Sequence, residues 1–386
     1  MLWLAAILLT LLSAWKAAQA PAWPVAFAPS ARAQVCIGAP LFQIEKFHIA
    51  RRRFAHAVSA VLLRDGRMRA VWYEGSRELD RDVEIWTATF DGKTWTAPRA
   101  IIGPTETGSN TGRYARKLGN SIVYRDAGGD LVIVYASVIG GWDTASLNLA
   151  RSSDDGETWS PPRQLTTTPI FNLGTNVRGP AVPTADGLTL LPTSHEFLRP
   201  FPEVLLLDQS GRVIGRRRIG VEFLGSQPFL LVLDNRRAKS FSRVDFDDYT
   251  IASTTDDVGW SWTKPEPTAL RNYDKPVSVA RIGGKDLLMV HNGAAPAQTD
   301  PARRLMFSVS DDEGRTWHAF HHLELEPDRG MRAHDPDVTS DYPWLMVGPR
   351  GLYHLLFTFS SSDQSELIHV QFSRDWIAAQ GGPPCP

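Results

Sequence analysis

Cysteine is nearly absent: the 386 residues hold 2, Cys36 and Cys385, one toward each end of the chain. That excludes a disulfide-dense small scaffold and any thiolate metal cluster. An excess of either charge is also lacking, since 41 Lys and Arg stand against 42 Asp and Glu. No global field therefore speaks for nucleic acid, and the basic runs at 51–53 and 216–218 read as solvated edges. His321 and His322 are neighbours whose side chains leave opposite faces of any strand, so they make no ligand pair. Neither a phosphate-cradling glycine loop nor a nucleophile elbow occurs. No metal or cofactor is expected, and no long amphipathic helix appears outside the N-terminal leader.

What the chain does have is a repeat. Ser152, Asp154, Gly156, Thr158 and Trp159 recur at the same offsets as Ser310, Asp312, Gly314, Thr316 and Trp317, and as Thr255, Asp257, Gly259, Ser261 and Trp262. A shortened copy ends in Asp91, Gly92, Thr94 and Trp95. The tryptophans at 95, 159, 262 and 317 are separated by 64, 103 and 55 residues, so the middle interval holds a unit that has lost its motif. A unit of roughly 50 to 60 residues suits a four-stranded propeller blade, and the chain after its leader holds about six. Short β-rich runs bounded by turn residues agree: 57–63, 69–73, 83–89, 131–138, 147–152, 188–192, 204–207, 287–291, 305–310, 352–359 and 367–372. The fold class expected is all-β, a six-bladed β-propeller with Asp-box hairpins, as a single domain over 34–386. In each box the Asp and hydroxyl can bond their own turn while the Trp packs between sheets, a structural staple.

Residues 2–15 are a largely apolar run followed by Lys16. The run is short for a bilayer span and has the length of a signal-peptide core. Small-x-small sites follow at 18–20 and 31–33. Pro21 is a poor residue after the first, so cleavage is expected near Ala33, with a retained anchor as the alternative. Secretion or export to a periplasm would permit a bond between Cys36 and Cys385 that staples the ring where its ends meet.

In a propeller the inner strands deliver their ends to a central funnel, so polar residues that break the apolar alternation there are site candidates. They fall in segments at 54–59, 75–82, 174–179, 194–196, 226–228, 303–304 and 340–343, with Arg243. On these segments and the Asp-boxes, over about 50–377, the chain resembles the sialidase superfamily, in its bacterial branch of BNR-repeat proteins. The resemblance implies a retaining exo-glycosidase that removes a terminal, acidic sugar from a glycan. It implies Asp82 as acid/base, Tyr342 as nucleophile, and Arg243 with Arg304 as a clamp whose guanidinium forks hold the sugar carboxylate. His56, Arg77, Arg178 and Gln227 would line the same pocket. Two departures stand out: His56 occupies the place of the first clamp Arg, and Gln227 that of the Glu that activates the Tyr. Gln cannot usefully take the phenol proton, and Glu196 is the candidate replacement. A glycan is the expected partner, a monomer the expected state, and a non-catalytic glycan-binding propeller the alternative function.

Overall fold

The computed structural model describes residues 22–28, 36–51, 54–168, 171–221, 224–244, 249–273, 275–293, 305–323, 325, 338–361 and 364–385. Its strands form six antiparallel sheets, each a blade. The first blade runs through Phe54–Leu62, Met68–Gly75, Glu84–Phe90 and Arg99–Ile102, and the second through Lys117–Arg125, Leu131–Val138, Ser146–Ser152 and Arg163–Gln164. The third has a broken inner strand, Thr175–Val177 and Val182–Pro183, then Thr189–His195, Phe201–Leu207 and Val213–Arg218. Ser226–Val232 opens the fourth and Ser278–Gly283 the fifth. The sixth takes Thr339–Val347, Tyr353–Ser360 and Gln364–Phe372 from the C-terminal end, and its outer strand Phe42–Arg51 from the N-terminal end. The ring thus closes by pairing the two ends of the chain, and Cys36 and Cys385 are disulfide-bonded beside that closure.

All eleven expected strand runs fall on observed strands, within a residue or two at most ends. Among the described residues, helix is confined to short pieces such as Pro104–Thr111 and Arg374–Ala379. Blade-to-blade packing forms the core: Trp72, Leu147 and Leu356 join one apolar cluster across three blades, and Phe307, Phe357 and Trp376 join another. Burial of apolar area of this kind is the main favourable term in folding.

The Asp-boxes sit on the turns between third and fourth strands. In the second blade, Ser152 Oγ donates to Asp154 at 2.6 Å and accepts the Gly156 amide at 2.7 Å. Asp154 also accepts the Thr158 hydroxyl at 2.6 Å, and these bonds hold its carboxyl well below the usual carboxylate range. The boxes at 255–262 and 310–317 repeat this bonding, and Trp317 meets Phe241 of the preceding blade edge-on. The unit in the long middle interval is the third blade: its turn keeps Asp208, which accepts from Ser210 and Arg212, but has no tryptophan. The arginines at 216–218 lie on the outer edge strand of the third blade, where Arg218 is exposed and the other two are half-buried. Arg216 pairs with Glu203, Arg217 lies over Trp260 and Arg218 over Phe201.

Candidate functional site

Because strands in a blade alternate in direction, the second-to-third loops and the starts of the inner strands share the face opposite the Asp-boxes. A cavity of about 430 Å³ opens there. Its floor is built from inner-strand starts, Asn120, Asn176, Gln227 and Tyr342, and its walls from loops that supply Glu78, Trp142, Asp143 and Glu196, with Arg243 at the end of a second strand.

The inner strands depart from regular pleating at this face. Register shifts lie between His56 and Ser59, between Ser226 and Phe229, and between Asp341 and Trp344. Each bulge holds a non-glycine residue in the left-handed region: Ala57 at φ 56°, Gln227 at φ 49° and Tyr342 at φ 57°. Such conformations cost on the order of 1–3 kcal/mol and cluster at functional sites, where bulges re-aim side chains. Here two of the three residues are Gln227 and Tyr342 themselves.

These two side chains meet. Gln227 Nε2 lies 3.2 Å from the Tyr342 hydroxyl, and Arg243 Nη1 donates to Gln227 Oε1 at 3.2 Å. A guanidinium only donates, so the amide must turn its oxygen to Arg243 and its NH2 to the phenol. Tyr342 Oη therefore accepts, which leaves its own proton free to depart. His56 packs under the phenol with ring centroids 4.2 Å apart. Burial, and then the charges of Lys275, Arg178 and Arg243, hold the His56 pKa well below its ordinary value, so the ring is neutral. On the other side Tyr73 reaches toward Glu78 Oε1 at 3.5 Å, and burial followed by the Glu78 charge pushes its phenol up. Glu196 accepts from Ser194 Oγ at 2.7 Å and from Asn176 Nδ2 at 3.4 Å. Among the described residues the cavity thus gathers a phenol, an amide that donates to it, one guanidinium and three carboxylates, Glu78, Asp143 and Glu196.

A family model described as the BNR repeat-like domain matches residues 66–355. The chain belongs to the BNR repeat-like family. A sialidase of Bacteroides fragilis (strain YCH46) is 25% identical over 202 residues, 47% of this chain and 35% of that protein, so the match spans about a third of that relative's length. Among solved structures, a protein of unknown function from Dyadobacter fermentans superposes with a TM-score of 0.64 at 14% identity, over 86% of this chain and 99% of that one. The NanB sialidase of Streptococcus pneumoniae gives 0.64 at 11%, over 85% and 70%. Trypanosoma rangeli sialidase with sialic acid gives 0.57 at 15%, over 88% and 60%. This is a sialidase-like BNR-repeat propeller.

Against the residues expected from the sequence, this BNR-repeat propeller brings Tyr342, Gln227, Arg243 and Glu196 together, with His56 beneath them. Asp82 and Arg77 are exposed on the loop between the second and third strands of the first blade, outside the cavity lining. Asp82 accepts the Ser76 amide at 3.0 Å and its hydroxyl at 2.6 Å, the arrangement of a turn cap. Arg178 is 3% exposed and donates to the carbonyls of Val58, Tyr342 and Pro343. It ties the third blade to the first and sixth under the floor, so its charge props the site from below rather than facing the cavity. Arg304 lies outside the described residues. Sequence reasoning missed Glu78, although it stands inside the polar segment 75–82. Asn120 carried no signal because the second blade's inner strand is not legible in the sequence, and Trp142 and Asp143 lie on the loop between two expected strands with no motif to mark them.

Proposed function

We propose that the protein is an exported exo-glycosidase that removes a terminal sugar from a glycan, with Tyr342 as the attacking group. The observation that carries this reading is the chain Arg243–Gln227–Tyr342 at the floor of a cavity walled by Glu78 and Glu196. In the reaction, the Tyr342 oxygen forms a bond to the anomeric carbon as the glycosidic C–O bond breaks. The leaving oxygen takes a proton from one wall carboxylic acid, and the phenol proton passes to a second wall carboxylate. Water then displaces the tyrosine oxygen, giving up its proton on the way, so that the sugar leaves with its configuration retained. Gln227 stabilises the phenolate by donation and accepts no proton. Arg243 is the guanidinium of the described lining that can fork the carboxylate of an acidic sugar. The Cys36–Cys385 bond supports the export reading, since disulfides persist in oxidising compartments.

The position of Gln227 favours a second reading, a glycan-binding propeller without turnover, because the amide occupies the place a base would need. The two are separated by fluorophore release from aryl sialosides, uronides and neutral glycosides. Turnover abolished in Tyr342→Phe and in Glu78→Gln supports the hydrolase, with Asp82→Ala retaining most of the rate. Saturable sugar binding with no release from any glycoside supports the binder.

A further inference from the structure

Cleavage near Ala33 would discard residues 22–28, yet those residues are built into the fold. Phe27 is 2% exposed and lies in the apolar cluster of the third and fourth blades, beside Val182, Leu206 and Leu230. Its amide donates to the Asn235 carbonyl at 2.7 Å, Ala28 donates to Pro183 at 3.0 Å, and Ala185 donates back to Ala26 at 3.0 Å. Phe27 also forms a β-bridge with Thr184. Trp23 Nε1 donates to the Val258 carbonyl at 3.0 Å, and its ring meets Trp260 edge-on at 5.7 Å. The Arg217 guanidinium lies 3.5 Å from the centre of Trp260 and 4.9 Å from that of Trp23.

The partners sit mainly on inner turns and an Asp-box of two neighbouring blades, on the face away from the cavity. A segment bonded through both backbone and side chains, with a phenylalanine buried in a core cluster, is part of the folded protein. Without it, that cluster would open to water along the seam between the blades.

We propose that the leader is removed ahead of Trp23 and that residues 23–28 remain in the mature protein as a strap across this seam. The cut resting on small side chains is Ala20-Pro21-Ala22, which follows the apolar run by a few residues and leaves Pro21 on the discarded side. The step is hydrolysis of the Ala22–Trp23 peptide bond by a leader peptidase. Water adds its hydroxyl to the Ala22 carbonyl and its proton to the Trp23 nitrogen. This inference rests on the export reading and places the new amino terminus on the Asp-box face, opposite the cavity.

Two measurements test it. The full chain is expressed with its leader in an exporting host, and the recovered protein is weighed intact after reduction. A chain beginning at Trp23 is expected; one beginning at Gln34 overturns the proposal, an uncut chain recovered from the membrane overturns the processing step, and an uncut chain recovered from the cytoplasm overturns the export reading as well. Separately, chains made without a leader and starting at Trp23 or at Gln34 are melted, alongside Phe27→Asp in the longer chain. The strap is expected to raise Tm by about 3 °C or more, as loss of a large buried side chain implies for a chain of this size. Equal Tm values for all three overturn the strap whatever the fate of the leader.

Discussion

The two faces of this propeller both hold non-glycine residues in left-handed conformations, but they do so by different means. On the Asp-box face Asp155, Val258 and Glu313 have φ near 60°, and each is followed by a left-handed glycine. Within each box the turn closes through bonds between residues no more than four apart, for example Ser152 with Gly156 and Asp312 with Thr316, and the Val258 and Glu313 amides add bonds to the Arg236 and Lys285 carbonyls on the inner turn of the same blade. On the cavity face Ala57, Gln227 and Tyr342 are left-handed without such local bonding. What surrounds them comes from afar: Gln227 bonds Tyr342 across 115 residues, and Arg178 bonds Tyr342 across 164. The boxes repeat a bonding pattern that closes within each turn, whereas the site exists only once the ring has closed.

That contrast predicts where substitutions act. The largest effect is expected at the cavity: Tyr342→Phe should lower turnover at least about a thousandfold, since it removes the attacking oxygen, while leaving the melting temperature near its starting value. Next comes Trp317→Ala, a buried box tryptophan, expected to cost about 3–5 kcal/mol in urea unfolding with KM unchanged. Loss of turnover in that variant without loss of stability would break the division between the faces.

Ring closure links the two faces, and reduction of the Cys36–Cys385 bond tests it. The bond spans 349 residues, and closing so long a loop stabilises by about 6 kcal/mol in the chain-entropy treatment. Unfolding midpoints with and without reductant measure this, and equal midpoints would show that strand pairing alone holds the ends together.

A smaller, graded effect comes from pH. Burial lowers His291 to about 4, and lowers His354 to about 3 with the neighbouring His369 adding to it. Unfolded histidine takes a proton near pH 6.5, so below that the unfolded state binds more protons than the folded one. Stability is therefore complete above about pH 6.5 and falls as pH drops toward 4, by up to about 1.4 kcal/mol per pH unit for each histidine. Urea midpoints at pH 7 and pH 5 read the slope, and His354→Gln should flatten it.

The same division explains what could be read in the sequence. The blade number, the motif-free third blade and the staple role of the boxes followed from local spacing, because the bonds that matter are local. Strands such as Leu131–Val138 were legible because nothing interrupts their apolar run. Inner strands Lys117–Arg125, Ser226–Val232 and Thr339–Val347 were not, because each opens with polar residues and a bulge that resets the alternation. Those openings carry Asn120, Gln227 and Tyr342, so the irregularity that hid the strands is the one that builds the cavity. Glu78 and Asp82 share one loop, and only its folded path turns Glu78 inward while Ser76 caps Asp82 at the rim.

Everything proposed for the cavity depends on a bond between the Tyr342 oxygen and the sugar. Incubation of the protein with a fluorinated glycosyl fluoride that slows the second step, followed by weighing and mapping of the chain, looks for that bond. A mass increase of one sugar, located on Tyr342 and absent from Tyr342→Phe, is expected. A label on Glu78 or Glu196, or turnover that continues in Tyr342→Phe, would contradict it.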